Sequence, residues 1–284
     1  MALALPLSKA MRSPGILPGF HLTLGYALIW LSLIVLFPLC VLVLKASTLG
    51  LSGIINIALQ PRIFGALQVS FAAALIAAAI DAVFGLLVAW VLVRYRFPGR
   101  RFFDAIVDLP FALPTAVAGI TLATLYAPSG WIGAPLAALG LKVAYTPAGI
   151  LVALIFVGLP FVVRTVEPLI AGLEKEAEEA SATLGASRWQ TFARVLLPAL
   201  TPAILTGFAM AFARCVGEYG SVIFIAGNLP YVSEIAPLLI IVKLEEYDYA
   251  GATAIATIML GAAFVILLLI NLIQAFARRR FGHV

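Results

Sequence analysis

Charge is scarce in this sequence of 284 residues: Asp, Glu, Lys and Arg together make up 11%, whereas hydrophobic residues make up 63%. A soluble domain has roughly 25% charged residues. A water-soluble fold is therefore excluded, and lipid must cover most of the surface. Cysteine is also rare. Because Cys40 and Cys215 both lie in apolar runs, the sequence indicates buried thiols and neither a disulfide nor a metal site.

Two further absences narrow the function. The sequence has no phosphate-binding loop of the form G-x-x-x-x-G-K-[ST], so we expect the chain not to bind or hydrolyse ATP itself. Its basic residues form no stripe interleaved with aromatics, which argues against a nucleic-acid partner. No catalytic residue, metal ligand or cofactor is predicted.

Long apolar runs are what the sequence has instead. Residues 22–44 carry no charge and are long enough to cross a hydrocarbon core of ~30 Å. The run is too long for a secretory signal, so we interpret it as an uncleaved first span. Further spans are predicted at residues 64–93, 102–126, 149–170, 199–226 and 250–277. The fold class is thus all-α, a polytopic membrane protein with about six transmembrane helices, kinked in the third and fourth spans by Pro110, Pro114 and Pro160.

The basic residues predict the orientation of these spans. If the N-terminus is cytoplasmic, thirteen Lys and Arg residues fall on the cytoplasmic side: Lys9, Arg12, Arg94, Arg96, Arg100, Arg101, Arg164, Lys175, Arg188, Arg194, Arg278, Arg279 and Arg280. The four on the outer side are Lys45, Arg62, Lys142 and Lys243. The positive-inside rule then places both termini in the cytoplasm. The predicted organisation is a cytoplasmic N-terminal segment (1–21), a six-span domain (22–277) and a basic cytoplasmic tail (278–284). In the last outer loop, the apolar residues 235–242 are too few to span and predict a re-entrant or interfacial helix.

The most informative stretch is a polar segment between the fourth and fifth spans, residues 173–198. Ala177, Ala180 and Leu184 recur at helical spacing with acidic residues between them, which predicts a short helix. Gly185 is expected to end it, and Trp189 lies in a second apolar stretch. Periodicity alone leaves two interpretations open: an ordinary solvated loop, or a helix–glycine–helix element that offers Leu184 and Trp189 to a soluble partner.

A family resemblance bears on this choice. The polar segment reads Glu179-Ala180-Ser181, three residues, Gly185, nine residues, then Val195-x-Leu197-Pro198. It resembles the signature loop of binding-protein-dependent ABC importer permeases, Glu-Ala-Ala…Gly…Ile-x-Leu-Pro, and departs from it only at Ser181 and Val195. The resemblance implies that this loop fits a cleft on an ATPase subunit and transmits its closure to the spans. The coupling residues so implied are Glu179, Ala180, Gly185, Trp189, Leu197 and Pro198.

The resemblance extends over most of the chain from residue 64 onward. Residues 108–119, 183–192, 216–228 and 232–239 are similar to the T-type permeases of sulfate/thiosulfate importers. This implies the type I ABC importer permease fold and a place in the bacterial inner membrane. It also implies three kinds of protein partner besides membrane lipid: a second, homologous permease, two ATP-binding subunits, and a periplasmic or extracellular sulfate/thiosulfate-binding protein.

Three charges, Asp81, Arg214 and Glu218, fall well within the predicted spans, where a charge is costly. Arg214 and Glu218 are four residues apart and can pair on one helix face. Either they form an internal pair that stabilises packing, or Arg214 gives positive potential to an anion path and Glu218 limits how tightly the anion is held. Asp81 is interpreted as a pairing or helix-contact residue, because no chain of acidic residues accompanies it.

Alternatives to the sulfate/thiosulfate permease stay open at this point. Within the family, the chain could carry molybdate or another oxyanion of the same shape and charge. In a different class, it could be an ion-coupled secondary transporter that uses Asp81 and Glu218, or a membrane scaffold.

Overall fold

The computed structural model describes residues 20–281, without the side chains of His21 and of residues 276–281. In this range the chain is helical and has no strand. Five helical stretches are long and apolar enough to cross a membrane: Leu22–Ser47, Pro61–Arg94, Pro147–Ala171, Arg188–Val216 and Tyr249–Ala275. The chain is therefore a multi-pass membrane protein. It divides into two compact units, Met1–Thr48 and Leu49–Val284.

The N-terminal unit is one helical stretch that contains a wide turn. Helix α1 (Phe20–Leu31) and helix α2 (Phe37–Ser47) are joined by a π-helical turn, Ser32–Leu36. In this turn the Phe37 N–H bonds to the Ser32 carbonyl, five residues back. Pro38 follows directly, and a proline has no N–H and crowds the carbonyl four residues before it. The wider turn accommodates that carbonyl, so the predicted first span continues without a break. Of the predicted segment 1–21, residues 1–19 lie outside the described range.

The core of the second unit is built by three helices: α4 (Pro61–Arg94), α9 (Pro147–Ala171) and α12 (Leu197–Val216). The short helix α3 (Gly50–Ala58) precedes them. Val162 of α9 lies between glycines of the other two helices. A Cβ atom at Gly85 would lie 2.8 Å from the Val162 side chain, and one at Gly207 would lie 2.9 Å from the Val162 Cα. Such small residues allow helix backbones to approach closely in a membrane.

The third predicted span, 102–126, is not a single helix. It is divided into α5 (Arg100–Val107), α6 (Leu109–Ala112) and α7 (Thr115–Tyr126). Pro114 causes the second break, because a residue before proline is driven out of the helical region, and Leu113 is extended with ψ 135°. Helix α8 (Gly133–Ala138) follows. The prolines thus interrupt this span where we had expected only kinks.

The fifth predicted span, 199–226, is also too long at its end. It includes α12, which ends at Val216, and a separate short helix, α13 (Val222–Ile225). Helices α10 and α11, which precede α12, belong to the polar segment and are described below. Residues 217–221 between α12 and α13 pack against α7: a Cβ at Gly119 would lie 2.4 Å from the Ser221 carbonyl oxygen. The apolar patch 235–242 does form a helix, α14 (Ala236–Glu245), and α15 (Tyr249–Phe281) ends the described chain. Helix α15 therefore runs into the predicted basic tail, whose residues 282–284 lie outside the described range.

Candidate functional site: the polar segment and the intramembrane charges

The polar segment has the predicted helix–glycine–helix order. Helix α10 (Lys175–Thr183) is terminated by Gly185, the residue after its C-cap Leu184, which has the left-handed φ of +81°. The Gly185 N–H donates to the Ala182 carbonyl at 3.0 Å, and the Ala186 N–H donates to the Ser181 carbonyl at 3.0 Å. This pair of bonds is the Schellman motif, whose left-handed position favours glycine. Backbone geometry thus explains why a glycine stands at position 185.

The second helix, α11 (Arg188–Thr191), begins with a capping box. The Gln190 N–H donates to Ser187 Oγ at 3.3 Å, and the Ser187 N–H donates to Gln190 Oε1 at 2.8 Å. These two bonds satisfy N–H groups that a helix start leaves unpaired. Both the end of α10 and the start of α11 are therefore closed by defined hydrogen bonds, which fixes the direction of the chain through residues 184–187.

The end of the polar segment repeats the wide turn of the first span. Residues Phe192–Leu196 form a π-helical turn, in which the Leu197 N–H bonds to the Phe192 carbonyl. Pro198 stands two residues after this turn, at the same offset as Pro38 after the first. The same crowding by proline accounts for both turns, and π-helical turns occur frequently at functional sites.

The surface of the polar segment is apolar at its most projecting points. The Leu184 side chain is 87% exposed and that of Trp189 is 73% exposed. Glu179 and Ala180 on α10 are also exposed, whereas Leu197 and Pro198 are half-buried at the start of α12. Large apolar side chains held out by a hydrogen-bonded frame, with acidic residues beside them, suit contact with a protein surface.

Ser181 joins the two helices of the polar segment, a contact that was not predicted from the sequence. Its hydroxyl bonds to the Thr191 hydroxyl at 2.8 Å and also donates to the Glu178 carbonyl at 2.8 Å. The Ser181 side chain is buried. Position 181 is where the sequence departs from the Glu-Ala-Ala pattern. A serine in place of alanine there was the one sign in the sequence that this side chain could form a hydrogen bond.

The structure brings Arg214 and Glu218 together. Arg214 Nη1 lies 2.5 Å from Glu218 Oε2; the Arg214 side chain is 34% exposed and that of Glu218 is 2% exposed. The Ser221 N–H and hydroxyl both donate to Glu218 Oε1 at 2.9 Å. Arg214 lies in the last turn of α12, where the helix dipole favours a positive charge. The carboxylate is thus fully paired, whereas part of the guanidinium is accessible.

Asp81 has a different environment. Its side chain is fully buried, and neither carboxyl oxygen has a hydrogen-bond partner among the described residues. It packs against α9, since a Cβ at Gly158 would lie 2.2 Å from Asp81 Oδ2. Asp81 therefore makes a helix contact and does not form an ion pair with any described residue.

A four-residue ion cluster centred on Arg164 was not anticipated from the sequence. Arg164 binds Asp108 through two nitrogens at 2.8 and 2.7 Å, Asp104 at 2.7 Å and Glu167 at 2.6 Å. Because Asp104 lies in α5 and Asp108 lies between α5 and α6, the cluster fixes the broken third span to α9. Within the described chain, no group of three or more His, Cys, Asp or Glu residues could hold a metal ion.

Another charged cluster lies between α14 and α15. Lys243 Nζ lies 2.9 Å from Glu246 Oε2 and 3.2 Å from Asp248 Oδ2. The hydrogen bond to Glu246 is the main cause that raises the pKa of Lys243. The hydrogen bond from the Gly251 N–H lowers the pKa of the Asp248 carboxyl, and the hydrogen bond and charge of Lys243 lower it further. Both groups are thus held in their charged forms, and Asp248 caps the start of α15.

Solved structures share this architecture. A bacterial ABC transporter involved in the import of the acidic polysaccharide alginate has a TM-score of 0.73, covering 90% of this chain and 94% of that chain at 18% identity. The inward-facing MetNI methionine ABC transporter has a TM-score of 0.54, covering 76% and 94% at 21% identity. The fold is thus that of the type I ABC importer permeases.

Sequence comparison gives the family. The family described as "Binding-protein-dependent transport system inner membrane component" matches residues 81–283, and the chain belongs to it. The sulfate transport system permease protein CysT of Escherichia coli is 48% identical over 96% of this chain and 99% of its own length. A probable sulfate transport system permease protein cysT of Nephroselmis olivacea is 52% identical over 93% of this chain and 92% of its own.

Proposed function

We propose that this chain is the T-type permease subunit of an ATP-driven importer that moves sulfate or thiosulfate across the bacterial inner membrane. The observation that carries the proposal is the polar segment, in which a hydrogen-bonded frame holds Leu184 and Trp189 exposed. A lipid-facing or merely solvated loop does not need this arrangement, whereas a docking element does. The substrate rests on the sulfate permeases that are 48–52% identical to the chain.

The partners follow from this assignment. A second, homologous permease completes the pathway, two ATP-binding subunits hydrolyse ATP, and a sulfate/thiosulfate-binding protein delivers the anion from outside. The polar segment faces the cytoplasm, where the ATP-binding subunits lie. Both chain termini then lie on the same side, in agreement with the distribution of Lys and Arg residues.

In the proposed mechanism, the polar segment is the part of the chain that the ATP-binding subunits move. Leu184 and Trp189 enter a groove on the ATP-binding subunit, and the exposed Glu179 orients the contact from the rim. Closure of the ATP-binding subunits on ATP moves the polar segment, and the spans change between inward- and outward-facing states. The direction of transport comes from the different affinities of the two states for the anion and for the binding protein.

Arg214 is proposed to give positive potential to the anion path. Its partly exposed guanidinium has nitrogens beyond the one that pairs with Glu218. The paired carboxylate reduces the local positive charge, so a divalent anion is attracted without being held tightly. This balance suits a translocation path, which must release what it binds.

Reconstitution tests the function directly. The chain is co-expressed with the cognate ATP-binding subunit and second permease, purified as a complex, and placed in proteoliposomes with the sulfate-binding protein. We expect ATP hydrolysis and uptake to be stimulated by sulfate and thiosulfate. Stimulation by molybdate alone would reassign the substrate, and uptake by the chain without any ATP-binding subunit would refute the proposal in favour of a secondary transporter.

A further inference from the structure

A row of side chains connects the polar segment to one end of α4. Trp189 stacks on Phe192 with ring centroids 5.7 Å apart, and Phe192 meets the edge of Trp90 at 5.9 Å. Arg94, one turn after Trp90, lies with its guanidinium carbon 5.2 Å from the Trp90 ring centre. The same guanidinium forms an ion pair with Glu178 of α10. The row therefore begins and ends on the polar segment and passes through the last turn of α4.

The contacts of Arg94 are few for a partly buried guanidinium. Its Nη2 atom donates to Glu178, whereas its Nε is buried and has no hydrogen-bond partner among the described residues. Unpaired buried donors are uncommon in native structures and ask for an explanation. The buried Nε leaves Arg94 with a donor that can take a second partner when the polar segment moves.

The other end of α4 is fixed in the same way. Arg62 donates two hydrogen bonds, at 2.9 and 2.7 Å, to the buried Glu234, which precedes α14. The Ser70 hydroxyl accepts a hydrogen bond at 2.8 Å from the Ala236 N–H. With 34 residues, α4 is about 51 Å long at 1.5 Å per residue. A single helix thus holds the polar segment through Arg94 at one end, and the loop before α14 through Arg62 at the other.

We propose that Trp90 and Arg94 are positioning residues that convert movement of the polar segment into movement of α4, and that Arg62 passes this movement to the loop before α14. The inference rests on the proposed function, because it takes the polar segment as the docking site of the ATP-binding subunit. It adds to the proposed function a path for movement along α4, which would connect ATP-driven closure on one face of the membrane to the loop before α14 on the opposite face. Charged pairs suit this role, since an ion pair between two elements can be broken and remade as they move.

The test measures coupling and not activity alone. Sulfate uptake and phosphate release are recorded in the same proteoliposomes for the reconstituted complex. In the Arg94→Ala and Glu178→Gln variants, we expect ATP hydrolysis to continue and the sulfate moved per ATP to fall about tenfold, within the range typical of coupling between sites. Glu178→Gln conserves shape at a partly exposed position, so it guards against a folding defect. Arg96→Ala, at an exposed position two residues from Arg94, is the matched control and should keep the wild-type ratio.

A charge swap decides whether the pair itself matters. The double variant Arg94→Glu/Glu178→Arg should recover at least half of the wild-type ratio, whereas each single reversal should not. If Arg94→Ala keeps the wild-type ratio, or the swap is no better than the single reversals, the inference is wrong. In that case a coupled wild-type complex leaves the proposed function intact. Failure of the wild-type chain to assemble with the ATP-binding subunit would instead overturn both.

Discussion

Substitution of Gly185 separates two reasons why the polar segment could need a glycine there. Gly185 has φ +81°, and a Cβ atom added to it would meet nothing within 4 Å. Space inside the chain therefore does not explain the glycine, but the left-handed backbone does. An L-residue pays about 1–2 kcal/mol in this conformation, which corresponds to a factor of about 5–30 in the population of the intact turn. Asparagine adopts the left-handed conformation more readily, and a β-branched residue fits it worst.

The expected order of sulfate uptake is therefore glycine, then Gly185→Asn, then Gly185→Ala, with Gly185→Val close to inactive. If steric exclusion in the cleft of the ATP-binding subunit were the sole reason, uptake would follow side-chain size, and the alanine variant would exceed the asparagine variant. Uptake of radiolabelled sulfate is measured in cells that lack the native permease. Immunoblots of membranes should show equal amounts of every variant, because position 185 is exposed.

Two results would refute the reasoning. Normal uptake by Gly185→Val would remove the docking role of the polar segment altogether. Higher uptake by the alanine than by the asparagine variant would retain the docking role but would show that the left-handed turn is not what the glycine supplies.

Three further predictions concern the transmembrane unit. Asp81→Asn should keep sulfate uptake, because the carboxyl oxygens pair with no described residue and coupling is supplied by ATP; the assay is uptake in cells. Gly119→Ala should lower stability by about 1–3 kcal/mol, measured as thermal unfolding in detergent, since its methyl group would lie 2.4 Å from the Ser221 carbonyl oxygen. Arg164→Ala should lower stability by about 1–3 kcal/mol, because it leaves three clustered carboxylates without their cation at a site that is only partly buried.

Each of these predictions has a control. Loss of uptake in Asp81→Asn at a normal membrane level would favour the ion-coupled secondary transporter. Gly217→Ala is the match for Gly119→Ala, because a Cβ at Gly217 meets nothing within 4 Å; equal loss of stability in both would contradict the packing argument. For Arg164, the Arg164→Lys variant keeps the charge but not the forked hydrogen bonds and should lie between alanine and wild type.

The apolar runs predicted most of the helices, because length and hydropathy determine which segments can cross a bilayer. They could not predict where a span breaks. Pro110 and Pro114 were expected to kink a continuous helix, but the extended Leu113 interrupts it. Likewise, hydropathy continues past Val216, and the sequence offered no reason for the helix to end there, because contacts such as that of Gly119 with Ser221 are set by tertiary packing.

The polar segment was more predictable than the charges around it. Its order of helix, glycine and helix follows from local rules for caps and turns, which act within a few residues. The contacts of Arg164 with Asp104 and Asp108, and of Arg94 with Glu178, join residues that are 56 to 84 positions apart. A single sequence, considered by itself, contains no information on which distant residues pair. These contacts could therefore be found only in the three-dimensional structure.

The π-helical turn at Phe192–Leu196 has a consequence for the phase of the helix that contains it. One extra residue in a turn rotates everything after it by about 100° relative to a regular helix. The stretch from Arg188 to Val216 can therefore direct Phe192 towards Trp90 and, further along, Gly207 towards Val162. In a regular helix that kept the Phe192 contact, Gly207 would point about 100° away from its present direction. Deletion of one residue between Phe192 and Leu196 would thus turn Gly207 away from Val162 while Phe192 keeps its contact with Trp90, which makes the helix phase itself a determinant of coupling.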